Sequence, residues 1–376
     1  MKYLILLLSF YTLTLLACSS QKETAAESDM DKMYLLIGSY SDGATPGISV
    51  YNFDTQMGSW EPINEAKGII NPSYLAVSPN KQFIYSVNET SNGAVSAFCF
   101  DKGALNFINS QLTHGADPCY ININKEQTFI VTANYSGGSI SAFPLSENGA
   151  IEPIAQNIEM NLSPEDSNKS HIHTVIFSPD QKYLLATDLG KDKIYVFRID
   201  SNEENTFIVQ EKERTTDLKA GSGPRHLIFH PNGKSLYCIN ELSGTVTVFT
   251  YHDGNLTPIQ HIASDTTSGE GGKGSADIHI SPDGKFLYSS NRLKNDGIAI
   301  FSINPQDGKL TWTAYQETGV HPRGFIILPN GRFLLCANRN SNQVQVFSRN
   351  EKTGLLTPIG EILVKEPVCL KWLIKD

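Results

Sequence analysis

Four side chains that could activate water and hold negative charge stand far apart along this chain of 376 residues: His173, Arg225, Glu241 and Arg292. An imidazole or a carboxylate can take a proton from water. A guanidinium offers a fork of N–H donors that suits a carboxylate, a phosphate or a developing oxyanion. Residues of the same types, His171, Arg323, Arg339 and Glu89, recur in the same pattern and are expected to contact substrate. Taken singly, each charge is equally a salt-bridge partner on a solvated rim, and Arg225 with Glu241 makes an obvious pair. What favours a site is the place that each residue holds in a repeat.

The repeat is marked by seven phenylalanines, Phe53, Phe98, Phe143, Phe197, Phe249, Phe301 and Phe347, spaced 45 to 54 residues apart. Six copies of one pattern can be read between them, for example Ser178-Pro179-Asp180, Ser281-Pro282-Asp283-Gly284 and Leu328-Pro329-Asn330-Gly331, each followed by an apolar strand. Pro fixes φ and Gly tolerates positive φ, so these are hairpin turns. Gly254-Asn255-Leu256, Gly308-Lys309-Leu310 and Gly354-Leu355-Leu356 open a further strand. Four strands per copy at this period predict an all-β, seven-bladed β-propeller. The first copy has no first strand, and Pro367–Trp372 resembles one. The C-terminal strand is therefore expected to complete the N-terminal blade and close the ring, which protects the blade edges.

A propeller turns equivalent positions of every blade toward one channel. After the expected proline of the inner strand stand Ser73, Cys119, His173, Arg225, Ala276, Arg323 and Val368. At the end of the next strand, after an Asn or Asp, stand Glu89, Tyr135, Leu189, Glu241, Arg292 and Arg339. These two sets are expected to converge on a polar channel mouth. The recurring Asn88, Asn134, Asn240, Asn291 and Asn338 are read as loop-capping hydrogen-bond formers. His171 and His173, two apart on a strand, face one way, but no third metal ligand is evident. His226 is one step out of phase with Arg225, so strict alternation turns it into the blade interior as a structural residue.

The formal charge of −9 excludes a partner held by its nucleic-acid backbone, which requires a basic footprint. Cys99, Cys119, Cys238, Cys336 and Cys369 are odd in number and lack Cys-x-x-Cys spacing, so neither a disulfide framework nor zinc is expected. The apolar run Tyr3–Ala17 after Lys2 is too short for a membrane span and has the form of a signal peptide. Leu15-Leu16-Ala17-Cys18 resembles a bacterial lipobox. The expected division is a signal peptide over 1–17, a tether over 18–31 lipidated at Cys18, and the propeller over 32–376. This predicts a lipid-anchored protein of the bacterial cell envelope, periplasmic or on the outer membrane, and monomeric.

Seven motifs occur in order: Asp117-Pro118-Cys119-Tyr120, Ala133-Asn134-Tyr135-Ser136-Gly137-Gly138-Ser139, His171-x-His173, Gly223-Pro224-Arg225-His226, Asn240-Glu241-Leu242, Ala276–Gly284 and Ser290-Asn291-Arg292. Together they resemble the lactonase family of seven-bladed propellers, which includes propeller-type 6-phosphogluconolactonases and a fungal carboxy-cis,cis-muconate cyclase. The resemblance implies hydrolysis of a sugar lactone with no cofactor and no metal. It also implies a site of one His, two Arg and one Glu, matched here by His171 or His173, Arg225, Glu241 and Arg292. Blade alignment favours His173. Two other functions fit the same residues: a non-catalytic envelope propeller that binds at the channel mouth, and a ring-closing enzyme of the muconate-cyclase type. A calcium-dependent gluconolactonase site fits less well, because this channel is richer in Arg than in Asp.

Overall fold

A computed structural model describes residues 32–161, 169–200, 207–209, 214–267 and 273–375. The expected signal peptide, Cys18 and tether lie outside the described residues. The described residues fold as seven antiparallel blades with almost no helix among them. Six are four-stranded. In the seventh, Ile208–Val209 and Thr215–Asp217 share the outer position against Lys193–Ile199.

The Ser-Pro-Asp turns show why the repeat folds as it does. Ser281 Oγ donates to Asp283 Oδ1 at 2.6 Å and accepts from Phe286 N at 3.0 Å, which clamps the two strand ends together. Ser178 does the same with Asp180 and Tyr183, and Ser78 with Asn80 and Phe83. Gly284 takes φ of +70° in this turn, while Lys81 and Gln181 hold the left-handed conformation without glycine at +62° and +60°. Side-chain hydrogen bonds within the turn offset the strain at those two positions.

The closing phenylalanines all sit on third strands and are all buried. They belong to seven apolar clusters, each built by two adjoining blades. Blades are also tied across their seams: the hydroxyls of Tyr85, Tyr237 and Tyr288 donate to the carbonyls of Gly149, Gly308 and Gly354 on the next blade. The ring closes as expected. Pro367–Ile374 pairs with Lys32–Ser39, in the sheet order Pro367–Ile374, Lys32–Ser39, Ile48–Asp54, Ser59–Ala66.

Two repeated backbone features position the site. First, the inner strands carry a β-bulge near their starts. The pairing skips one residue in each of five blades: Cys119, His173, Arg225, Arg323 and Val368. These are the channel positions expected from the repeat. A bulge leaves the extra residue unpaired and re-aims its side chain. Second, the residue after each second strand donates its N–H to the carbonyl two places before the bulge position or, in the two blades without a bulge, before its equivalents Ser73 and Ala276. The pairs are Glu89 to Asn71, Tyr135 to Asp117, Leu189 to His171, Glu241 to Gly223, Arg292 to Gly274 and Arg339 to His321. Tyr40 N bonds Glu366 O in the same way, which makes Tyr40 the seventh member of that ring.

Candidate active site

The bulge brings His173, Arg225 and Arg323 into one central cavity with Ser73, Cys119 and Asp277. The cavity is only about 20 Å³, room for a single water. Small-molecule sites are typically about 300–1,000 Å³, so a sugar-sized ligand must lie above this plug, at the channel mouth.

The mouth is built around Glu241. Its Oε2 lies 2.8 Å from Arg225 Nε and 3.2 Å from Arg292 Nη2. Both guanidiniums are almost fully buried, at 2% and 5% side-chain exposure, whereas Glu241 keeps 22%. One strand start anchors both: Gly274 O accepts from Arg292 Nε at 2.7 Å, and Ala276 O accepts from Arg225 Nη1. Burial pushes the Glu241 carboxyl up, but Arg225, Arg292 and Arg323 together outweigh it and hold the group below its ordinary range. Glu241 is therefore ionised at neutral pH.

His173 is buried, and its Nδ1 has no hydrogen-bond partner. Burial and the neighbouring Arg225 drive its pKa well below 6.5, so the imidazole is neutral. His171 is placed differently. It stacks on Tyr135 at 4.6 Å, donates from Nδ1 to the Tyr135 carbonyl at 3.0 Å, and lies outside the central cavity.

Beside this group stands a second cluster. Tyr40 Oη donates to the Glu89 carboxylate, 2.9 Å from Oε1 and 3.1 Å from Oε2. Arg323 Nη2 lies 3.7 Å from the same carboxylate. The Arg323 and Arg339 guanidiniums lie over the Tyr40 ring at 5.4 and 4.6 Å, and Arg339 pairs with Glu366. Arg339 thus stands at the edge, joined to the rest through an aromatic face.

Several residues at the site escape sequence reasoning. Tyr40 follows Ser39 where other blades have Asn or Asp, so its ring position is hidden. His226 does not turn into the blade interior as alternation requires. The bulge at Arg225 breaks the alternation, and both residues line the central cavity. His226 Nδ1 meets Asp277 Oδ1 at 2.8 Å, and its ring lies 5.1 Å from that of His173. His321 Nε2 is 3.3 Å from Arg292 Nη1; burial and Arg292 pull its pKa down to about 3. The one available signal was Asp277, a carboxylate where the other inner strands carry Tyr74, Tyr120, Thr174, His226, Gly324 and Cys369. The repeated asparagines do form hydrogen bonds. Asn134 reaches Ser139 and Ser141, and Asn240 reaches Thr245 and Thr247. Among the described residues, no group of three His, Cys, Asp or Glu is arranged to hold a metal ion.

Comparison with known proteins agrees with this architecture over almost the whole chain. A 6-phosphogluconolactonase of Formosa agariphila is 39% identical over 341 residues, 88% of this chain and 96% of that one. A 6-phosphogluconolactonase of Bacillus subtilis is 33% identical, across 92% of this chain and 99% of its own. The structure of a periplasmic gluconolactonase of Pseudomonas aeruginosa superposes with a TM-score of 0.86 at 32% identity, covering 92% of this chain and all of that one (100%). Residues 34–372 match the family described as Lactonase, 7-bladed beta-propeller, and the chain belongs to it.

Proposed function

We propose that this protein hydrolyses a sugar lactone, 6-phosphogluconolactone or a related aldonolactone, at the channel mouth. The observation that carries this reading is the Glu241 carboxylate, partly open to solvent, with two buried guanidiniums on a single oxygen. The names of its relatives support the substrate class.

The roles follow from the residues. Glu241, ionised and the most exposed of the core group, takes a proton from water as general base. The hydroxide attacks the lactone carbonyl carbon, and the carbonyl oxygen becomes an oxyanion. Arg225 and Arg292 stabilise that charge from a fixed, largely desolvated position. When the ring C–O bond breaks, the protonated Glu241 returns its proton to the leaving alkoxide oxygen. The product is the open hydroxy acid, which ionises in solution. His173 is neutral and buried, so it orients water or substrate rather than supplying a proton. Arg323, Glu89 and Arg339, with His171 at the far edge, contact the sugar hydroxyls or its phosphate. Every step uses side chains alone.

The leader supports a place for this reaction. Leu15-Leu16-Ala17-Cys18 fits cleavage before Cys18 and lipidation there, which anchors a monomeric propeller to the cell envelope on the 18–31 tether.

The test is lactone hydrolysis by the fragment starting at Asp31, on 6-phosphogluconolactone and on unphosphorylated gluconolactone, with and without chelator, after subtraction of spontaneous opening. Turnover that survives chelator establishes a metal-free lactonase, and the ratio of the two rates reports whether phosphate is recognised. No turnover above background on either lactone overturns the reading.

A further inference from the structure

Asp277 sits beneath the site with every acceptor position of its carboxylate in use. Oδ1 accepts from Ile278 N at 2.9 Å and from His226 Nδ1 at 2.8 Å. Oδ2 accepts from Phe325 N at 3.0 Å and from His279 Nε2 at 3.2 Å. An ionised carboxylate is acceptor-only, with about four lone-pair sites, so all are filled. Each oxygen takes one backbone N–H. An amide nitrogen at either place would therefore face a donor, and only a carboxylate satisfies the set.

Two consequences reach the mouth. Because Asp277 can only accept, His226 must carry its proton on Nδ1, which leaves Nε2 as an acceptor. That Nε2 lies 3.4 Å from Arg225 Nη1. The same Nη1 donates to the carbonyl of Ala276, the residue joined to Asp277. Burial and Arg225 lower the His226 pKa to about 4, which keeps the ring neutral and its Nε2 lone pair free.

We propose that Asp277 is a positioning residue of the site: it fixes the Nδ1–H tautomer of His226, whose Nε2 holds the Arg225 guanidinium against Glu241 together with the Ala276 carbonyl. The inference rests on the role given above to Arg225 in lactone hydrolysis. Asp277 touches no reacting atom.

The test uses the full chain, with His226→Leu, His226→Gln and Arg225→Ala singly and combined. Leu removes both the donor and the acceptor, whereas Gln can keep one of each. His226→Leu is expected to lower kcat/KM about 10–100-fold, the scale of a guanidinium displaced by a fraction of an ångström to an ångström. His226→Gln should recover most of that loss. In the Arg225→Ala background, His226→Leu should cost less than about 2-fold more, because its effect passes through Arg225. An equal loss in both backgrounds would make His226 merely structural and overturn the proposal. Nitrogen-15 NMR of histidine-labelled protein decides the tautomer without substrate, with the His226 signal assigned by its loss in His226→Gln. A protonated Nδ1 and an unprotonated Nε2 at neutral pH are expected. An Nε2–H tautomer or an imidazolium overturns the proposal even if His226→Leu does not fold. If the wild-type protein opens no lactone, the reaction assignment fails, while the tautomer still decides the role of Asp277.

Discussion

Arg225 Nε and Glu241 Oε2 lie 2.8 Å apart, yet Nε has no directed hydrogen bond. The two meet as ions, and Nε is itself fully buried against the carboxylate. Since Arg225 is held by the Ala276 carbonyl, its positive charge stays fixed and can oppose a developing oxyanion without movement of the side chain.

Arg225→Ala should therefore lower kcat about 10²–10³-fold, the usual loss for one oxyanion donor. Glu241→Gln, which keeps the shape and removes the base, should cost about 10²–10⁴-fold. Both variants should keep the wild-type far-ultraviolet circular dichroism, since Glu241 retains Arg292 in the first and the isosteric Gln keeps the partly exposed place of Glu241 in the second. Steady-state kinetics beside that spectrum is the check. Activity retained in either variant would remove its residue from the chemistry.

The acid limb of the pH profile should belong to Glu241. Its carboxyl is raised by burial and lowered by Arg225, Arg292 and Arg323, with a net value below its ordinary one. The base is lost when pH falls through that lowered value. Arg292→Ala takes away one cation that favours the carboxylate, so the Glu241 pKa must rise and the acid limb of kcat/KM must move to higher pH. A limb that stays in place, or moves to lower pH, contradicts the assignment of Glu241 as base.

The repeat was legible because its causes are local. Ser-Pro-Asp turns, glycines at positive φ and a buried phenylalanine per blade are each written within a few residues. The first channel ring was legible for the same reason, because five inner strands carry a marker proline, at Pro72, Pro118, Pro224, Pro322 and Pro367, and the other two align with them through their turns. What stayed hidden depends on a break in periodicity. The bulge at Arg225 adds one residue that does not pair, and a period of two then assigns His226 to the wrong side. Tyr40 was hidden because its blade is assembled from both chain ends and lacks the marker Asn. Asp277 stands within the Ala276–Gly284 motif, but its meaning lies in donors from His226 and Phe325, on the blades to either side. Such cross-blade contacts have no local signature.

The Tyr40 cluster should govern binding more than turnover. Tyr40 fixes Glu89 by hydrogen bonds and presents its ring to Arg323 and Arg339. None of these residues touches Glu241. Tyr40→Phe and Arg339→Ala should each raise KM several-fold while kcat stays within about 2-fold, because uniform binding is lost without loss of transition-state stabilisation. If Arg339 meets a phosphate, the rise should be larger for 6-phosphogluconolactone than for the unphosphorylated lactone. A fall in kcat with unchanged KM would place this cluster in the chemistry instead.

Ring closure supplies the last prediction. Pro367–Ile374 is the inner strand of the N-terminal blade, and Val368, Cys369, Leu370 and Leu373 are buried there. Leu370 packs in the cluster with Met33, Phe53 and Leu335, while Cys369 and Leu373 pack with Leu36 and Leu75. Losing the strand would open two blade seams at once and expose the unpaired edge of Lys32–Ser39. Each buried aliphatic side chain of this size is worth about 1.5–3 kcal/mol, and whole domains are stable by only about 5–15 kcal/mol. The loss is of the same order as the total. Deletion of Pro367–Asp376 should therefore abolish soluble, cooperatively folding protein. A soluble truncated chain with an unchanged melting temperature would show that the ring does not depend on this strand. Because Val368 also occupies the bulge position of the channel, partial folding without the strand should still leave the site inactive.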